Sequence, residues 1–113
     1  MEFIPYKAHE CFEHLYYQIP MELFFNKNYR DKLNSDSKIL YGFLLNRLTL
    51  SAKNNWIDEN GNVFLIFTRK EVQKILNLSD KTATKAFKQL NECKLIHEKK
   101  QGANKPNLIY VGK

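Results

Sequence analysis

The sequence predicts an α+β chain folded as a winged helix-turn-helix, in the order helix, strand, helix, helix, strand, wing, strand, behind an N-terminal extension. Three observations carry that expectation. Two capped helical patterns meet across a three-residue break at Asn77-Leu78-Ser79, and two short apolar strands follow, joined by a basic, turn-prone loop. Upstream, an Asn60-Gly61 dipeptide marks a hairpin whose second strand runs straight into the first of those helices.

Residues 1–15 show no clear period and read as an arm, leaving residues 16–113 as a single domain. Eight of the fifteen aromatic residues (Phe3, Tyr6, Phe12, Tyr16, Tyr17, Phe24, Phe25, Tyr29) fall in the first 29 positions, a bias that suits either rings packed within the monomer or a subunit interface. Both placements stay open. Tyr17-Gln18-Ile19-Pro20 reads as extended, since a residue before proline avoids the helical region. Met21 to Phe25 suits a short helix and Asn26 to Asn34 a polar connection.

Ser35 is a good N-cap, Asp36 suits the positive first turn, and Ile39, Leu40, Phe43, Leu44 and Leu48 form one wide apolar face of a helix reaching about Ser51. That helix is the expected buried support. Trp56-Ile57 and Val63 to Phe67 then flank Asp58-Glu59-Asn60-Gly61-Asn62 as a hairpin.

Thr68 and Glu71 have the spacing of a capping box, and Val72, Ile75 and Leu76 give the helix they start an inward face. Asn77 tolerates a left-handed helix end, Leu78 can tuck under the turn, and Ser79 with Asp80 opens the next helix. Ala83, Ala86, Phe87, Leu90 and Cys93 recur at helical spacing as its buried stripe. Its other face offers Ser79, Lys81, Thr82, Thr84, Lys85, Lys88 and Gln89, with no acid between Lys81 and Glu92. Short hydroxyls, amides and cations are the side chains that contact phosphates and base edges, so this is the candidate recognition helix. Leu95 to Lys100 and Leu108 to Val111 read as strands around a wing, where Lys99, Lys100, Gln101, Asn104 and Lys105 are the candidate backbone contacts.

The charge falls where this geometry needs it. Ten basic and four acidic residues lie between Thr68 and Lys105, so the whole formal net charge of +6 belongs to that unit and the rest of the chain balances. A basic outer face is often only a solvated one, but a charge confined to one structural unit is more than solubility requires.

Other chemistries find little support. Cys11 and Cys93 make no disulfide framework and suit a reducing cytoplasm; no signal peptide is visible in a start interrupted by Glu2, Pro5, Lys7 and Glu10. The longest apolar run, Val63 to Phe67, is far below the roughly 20 residues that span a bilayer. No membrane partner is expected. His9, Cys11 and His14, with Cys93 and His97, fit no standard zinc spacing; on a helix His9 and His14 would lie roughly 140° apart. No glycine has phosphate-loop spacing, Asp58-Glu59 sits beside a turn, and no Ser, His and Asp set declares itself. Neither a catalytic site, a metal nor a cofactor is expected.

Several blocks resist assignment to local physics alone: Leu33-Asn34-Ser35-Asp36-Ser37-Lys38-Ile39-Leu40-Tyr41-Gly42-Phe43-Leu44-Leu45-Asn46-Arg47-Leu48, then Asn55-Trp56-Ile57-Asp58-Glu59-Asn60-Gly61. With Tyr17-Gln18-Ile19-Pro20, Phe67-Thr68-Arg69, Lys81-Thr82-Ala83-Thr84-Lys85 and the run from Gly102 through Asn104-Lys105-Pro106-Asn107-Leu108-Ile109-Tyr110-Val111, the chain closely resembles the N-terminal domain of the replication initiator A family of Gram-positive plasmids. The resemblance covers Tyr16 to Val111. It implies sequence-specific binding of double-stranded DNA at repeated sites in a plasmid origin, usually as a homodimer, to initiate and control plasmid replication. It also implies a separate C-terminal domain that engages host replication proteins and has no counterpart here. One departure is Lys94, where winged-helix domains often place glycine; a left-handed lysine there would carry about 1 kcal/mol or more of strain.

The expected mechanism puts the outer helix face in the major groove and the wing along neighbouring backbone, with two copies reading two half-sites. A winged-helix transcriptional regulator at a promoter operator shares every one of these features. A winged helix used only for protein contacts shares the fold but predicts no affinity for duplex DNA.

Overall fold

The computed structural model describes residues 1–10 and 15–113, and its elements run α1 (Glu22–Phe25), α2 (Lys27–Arg30), α3 (Ser35–Lys53), β1 (Leu65–Ile66), α4 (Arg69–Leu76), α5 (Asp80–Glu92), β2 (Ile96–Lys99) and β3 (Leu108–Val111). The expected helix, strand, helix, helix, strand, wing, strand order is present, with two four-residue helices ahead of it. Of those two, α2 occupies what the sequence suggested was only a polar connection. Asn26 creates it, its side chain accepting from the Asn28 backbone N–H at 2.9 Å.

α3 starts one residue earlier than expected because Asn34, not Ser35, is its cap. The Asn34 side chain accepts from the Ser37 N–H at 2.9 Å, and such a cap contributes about 1 kcal/mol. Leu40, Phe43 and Leu44 are buried and Leu48 half-buried as the periodicity predicts, but Ile39 is 46% exposed. The apolar stripe is wider than the surface that covers it. Across α3 lies the extended segment ending at Pro20, so close that a Cβ on Gly42 would stand 2.8 Å from Ile19 Cγ1 and 3.0 Å from the Gln18 carbonyl. Gly42 is therefore a close-approach glycine. On the same side Tyr17 packs against Phe43 with ring centroids 5.8 Å apart.

The upstream hairpin forms, though less regularly than a pair of long strands. Ile57 and Val63 make an isolated bridge, Phe64 donates its N–H to the Trp56 carbonyl at 3.0 Å, and only Leu65 and Ile66 pair onward as β1. Trp56 and Phe64 stack 6.3 Å apart and 6° from parallel. The sheet order is β1-β3-β2, all antiparallel, with Leu65 opposite Ile109 and Glu98 opposite Ile109 from the other side.

The core lies between α3, α5 and this sheet: Phe43, Leu44, Leu65, Phe87, Leu90, Leu95 and Ile109 are buried together with Val72 from α4 and Leu23 from α1. Burial of each large side chain contributes about 1.5–3 kcal/mol. Leu95, expected as the first residue of a strand, instead closes the end of α5 and leaves β2 to begin at Ile96. The Leu95 N–H reaches the Leu90 carbonyl at 3.0 Å and the Lys94 N–H the Asn91 carbonyl at 3.1 Å, the bond pair of a Schellman motif. Lys94 accordingly sits left-handed at φ 61°.

Candidate nucleic-acid interface

The helix pair is fixed by its caps. Thr68 accepts from the Glu71 N–H at 3.1 Å and Glu71 Oε1 accepts from the Thr68 N–H at 3.2 Å, the reciprocal box predicted by the spacing. Asn77 ends α4 in the left-handed region at φ 54°, and the half-buried Leu78 donates its N–H to the Gln73 carbonyl at 2.9 Å. Ser79 then caps α5, accepting from the Thr82 N–H at 3.2 Å. A Gln73 Nε2 to Asp80 Oδ1 bond of 3.0 Å spans the turn and sets one helix against the other.

This geometry aims α5. Ala83, Ala86, Phe87 and Leu90 are fully buried, and the opposite face presents Lys81, Thr84, Lys85 and Lys88, all exposed, along one helical stripe. None of the three lysines is in an ion pair among the described residues. Ser79 and Thr82 are exposed too, but their hydroxyls lie 2.9 Å apart, and the Thr82 hydroxyl also reaches the Ser79 carbonyl at 3.1 Å. Those two hydroxyls already serve the cap. Cys93 is half-buried at the far end, where burial pushes its thiol above the ordinary value.

Gln89 departs from the expected role. Its Oε1 accepts from the Asn34 N–H and from the Ser37 hydroxyl, each at 2.9 Å, so the amide joins α5 to the start of α3 instead of pointing outward. A neighbour 55 residues away in sequence claims it. Ile75, expected inside α4, is 44% exposed, while Val72 alone of that helix is fully buried. An eight-residue helix covered on one side by α5 buries a narrow stripe.

In the wing, Lys99, Lys100, Gln101, Asn104 and Lys105 are all exposed. The loop is held by Gln101 Nε2, which donates to the Pro106 carbonyl at 2.8 Å, and it turns through left-handed Gly102 at φ 122° and Asn104 at φ 64°. Strand alternation sends Lys99 and His97 to the sheet face of Tyr110, where Lys99 acts on Asp58. Asp58 accepts the N–H groups of Asn60 and Asn62, each at 2.9 Å, and the Tyr110 phenol at 2.9 Å. Those bonds hold its carboxyl below the ordinary value, the one involving Asn62 foremost, and hold the Tyr110 phenol above its own.

Sequence reasoning overlooked two arginines and a glutamate. Arg47 lies 5.4 Å from the ring centres of both Phe43 and Phe67, bracing the residue that precedes the Thr68 cap. Arg69 stacks 3.8 Å over the Phe87 ring and pairs with Glu98 at 3.2 Å. Glu98 shares the inward phase of β2 with buried Ile96, and that alternation was the available signal. Of His9, Cys11, His14, Cys93 and His97, Cys11 and His14 lie outside the described residues.

Residues 15–113 match the family described as Replication initiator protein A (RepA) N-terminus. A curated relative, a "41 kDa protein" of Lactobacillus helveticus, is 30% identical over 112 residues, covering 94% of this chain but only 31% of its own length. The chain thus spans about a third of that relative. Three solved structures share the fold: one described as "N-Terminal domain of DNA binding protein" (TM-score 0.81, 37% identity, 99% of this chain and 85% of that one), one as "Structure of Rep-DNA complex" (0.78, 39%, 88% and 75%), and one as "Structure of MDR initiator" (0.77, 42%, 88% and 77%).

Proposed function

We propose, for a chain that belongs to the replication initiator protein A N-terminal family, that it binds double-stranded DNA at repeated sites in a plasmid replication origin, thereby starting and controlling replication. The observation that carries this reading is the exposed stripe of Lys81, Thr84, Lys85 and Lys88 on a doubly capped helix. It lies within the unit holding the whole net charge of +6. The likeness to a structure described as a Rep-DNA complex supports the partner.

In this reading α5 enters the major groove, Lys81, Thr84, Lys85 and Lys88 approach base edges and flanking phosphates, and the wing follows the neighbouring backbone. Ser79 and Thr82 contribute as the capped helix end, whose N–H groups favour a phosphate. The domain acts as a binding module without catalysis or cofactor, in the cytoplasm. Contacts with host replication proteins belong to a further domain.

Two copies reading two half-sites fit the exposed apolar side chains before α3, where Leu15, Met21 and Phe25 are 104%, 70% and 69% exposed. Apolar and aromatic side chains of this kind suit the core of an interface with a second copy of the chain. Sedimentation across micromolar concentrations tests that pairing, which a strictly monomeric domain on DNA and off it would overturn.

The DNA reading is tested by titrating the domain against a duplex carrying origin repeats, a single promoter operator and a random duplex, over a range of salt. Tightest binding to the repeats is expected, with affinity falling by about 0.9 log units per log unit of salt for each phosphate neutralised. Affinity indifferent to salt, or no affinity at all, contradicts it; preference for the single operator favours a transcriptional regulator.

A further inference from the structure

Glu98 receives three donors from three different elements. Its Oε1 accepts from Arg69 Nη2 of α4 at 3.2 Å and from Asn91 Nδ2 of α5 at 2.9 Å, and its Oε2 faces Asn107 Nδ2, just before β3, at 3.4 Å. The side chain is only 13% exposed. Asn91 Nδ2 is itself held by the Phe87 carbonyl at 2.9 Å, and Arg69 stacks over the Phe87 ring, so the carboxylate is tied to the buried side of α5 at two points. One carboxylate therefore joins the first residue of α4, the last turn of α5 and the returning leg of the wing.

The β1-β3 ladder ends just short of that junction, at Ile66 and Leu108. Beyond it a cleft of about 240 Å³ is lined by Phe67, Thr68 and Arg69 from the start of α4, by Lys105, Pro106 and Asn107 from the wing, and by Glu98.

We propose that Glu98 is the positioning residue that couples the wing to α5, so that Lys105 and its neighbours meet the DNA backbone in register with the base-facing stripe. This rests on the DNA-binding reading above and names how two parts of that surface are made to act together. It makes an unusual prediction of sign. Removing an acid from a basic DNA-binding unit should, on charge alone, tighten binding and steepen its dependence on salt. Loss of coupling predicts the reverse.

The test is a double-mutant cycle in the whole domain, read as affinity for its repeat duplex and as salt slope. Glu98→Ala is expected to weaken binding and to make the slope shallower by about 0.9 or more, the share of at least one phosphate. Lys105→Ala should cost several-fold in the parent and little in the Glu98→Ala background, whereas Lys85→Ala should cost the same in both. Glu98→Gln keeps an acceptor oxygen for Arg69 and Asn91, and the Asn107 amide can turn its own oxygen to the new donor. Binding close to the parent is expected of it. Should Glu98→Ala fail to fold, Asn107→Ala cuts only the wing arm of the cluster and serves the same cycle.

Tighter binding with a steeper slope, or equal costs of Lys105→Ala in both backgrounds, overturns the proposal. If the parent itself does not bind duplex DNA, the underlying reading fails, and the proposal with it.

Discussion

The unit from Thr68 to Val111 buries most of its large apolar side chains and exposes its lysines, whereas several large apolar side chains of the described residues ahead of α3 stand in solvent beside exposed charges. In the first, Phe87, Leu90 and Ile109 are buried while Lys81, Lys85 and Lys88 face solvent. In the second, Leu23 and Leu33 are buried but Phe3, Leu15, Met21 and Phe25 are all more than half exposed. A protein surface with scattered apolar residues is ordinary, but this clustering before α3 contrasts with a helix pair that satisfies itself. One region is finished as a folded unit and carries the net positive charge; the other offers apolar surface among balanced charges. The two are suited to different partners.

The sharpest way to break that contrast is a pair of truncations. Phe87→Ala removes a fully buried ring from between α3, α5 and the sheet, and should cost about 3–5 kcal/mol in denaturant unfolding. Phe25→Ala should stay within about 0.5 kcal/mol for the monomer and act instead on self-association. Similar stability losses at both positions would mean that the N-terminal rings belong to the core.

Next in size is Gln89→Ala. It leaves the Asn34 N–H without its acceptor, while the Ser37 hydroxyl keeps the Asn34 carbonyl at 2.9 Å; the cost should be about 1–3 kcal/mol, and the salt slope of DNA binding should stay that of the parent. A lowered slope with unchanged stability would return Gln89 to the DNA-facing set. A smaller gain is expected from Lys94→Gly, since a left-handed lysine is relieved and only chain entropy opposes it: stability should rise by roughly 0.5–1 kcal/mol, seen as a higher midpoint.

The smallest effect is a pH dependence in the upstream hairpin. Asp58 is held below the ordinary carboxylate value, so its contribution is present above the unfolded-state value and is lost as pH falls through the folded one. Tyr110 is raised, so its contribution is present below the unfolded-state phenol value and lost as pH rises through the folded one. Asp58→Asn should flatten the acid limb of stability against pH; an unchanged limb would show that the turn bonds do not depend on that charge.

How far these features could be read from residue order follows the range over which each is decided. The Thr68-Glu71 box, the left-handed Asn77 and the Ser79 cap are settled within a few residues, and each is where spacing placed it. Lys94 stands left-handed although it is not glycine, because the buried Leu90 and Leu95 and the two closing bonds determine the corner. Gln89, by contrast, is claimed by a helix start far back in the chain, and Glu98 gathers Arg69, Asn91 and Asn107 only after the sheet has formed. Ile39 and Ile75 remain exposed because a period fixes the direction of an apolar stripe, not the width of what covers it. The basic face of α5 was legible; its division into outward cations and an inward amide was not.

The central claim is that the outer face of α5 reads bases while the wing holds phosphate. Lys85→Ala and Lys105→Ala, each titrated on the repeat duplex and on random duplex, test it most directly. Lys85→Ala should cost about 1–3 kcal/mol on the repeat duplex and much less on random DNA, while Lys105→Ala should weaken both alike and lower the salt slope by about one. Equal losses for both variants on both duplexes would contradict that division.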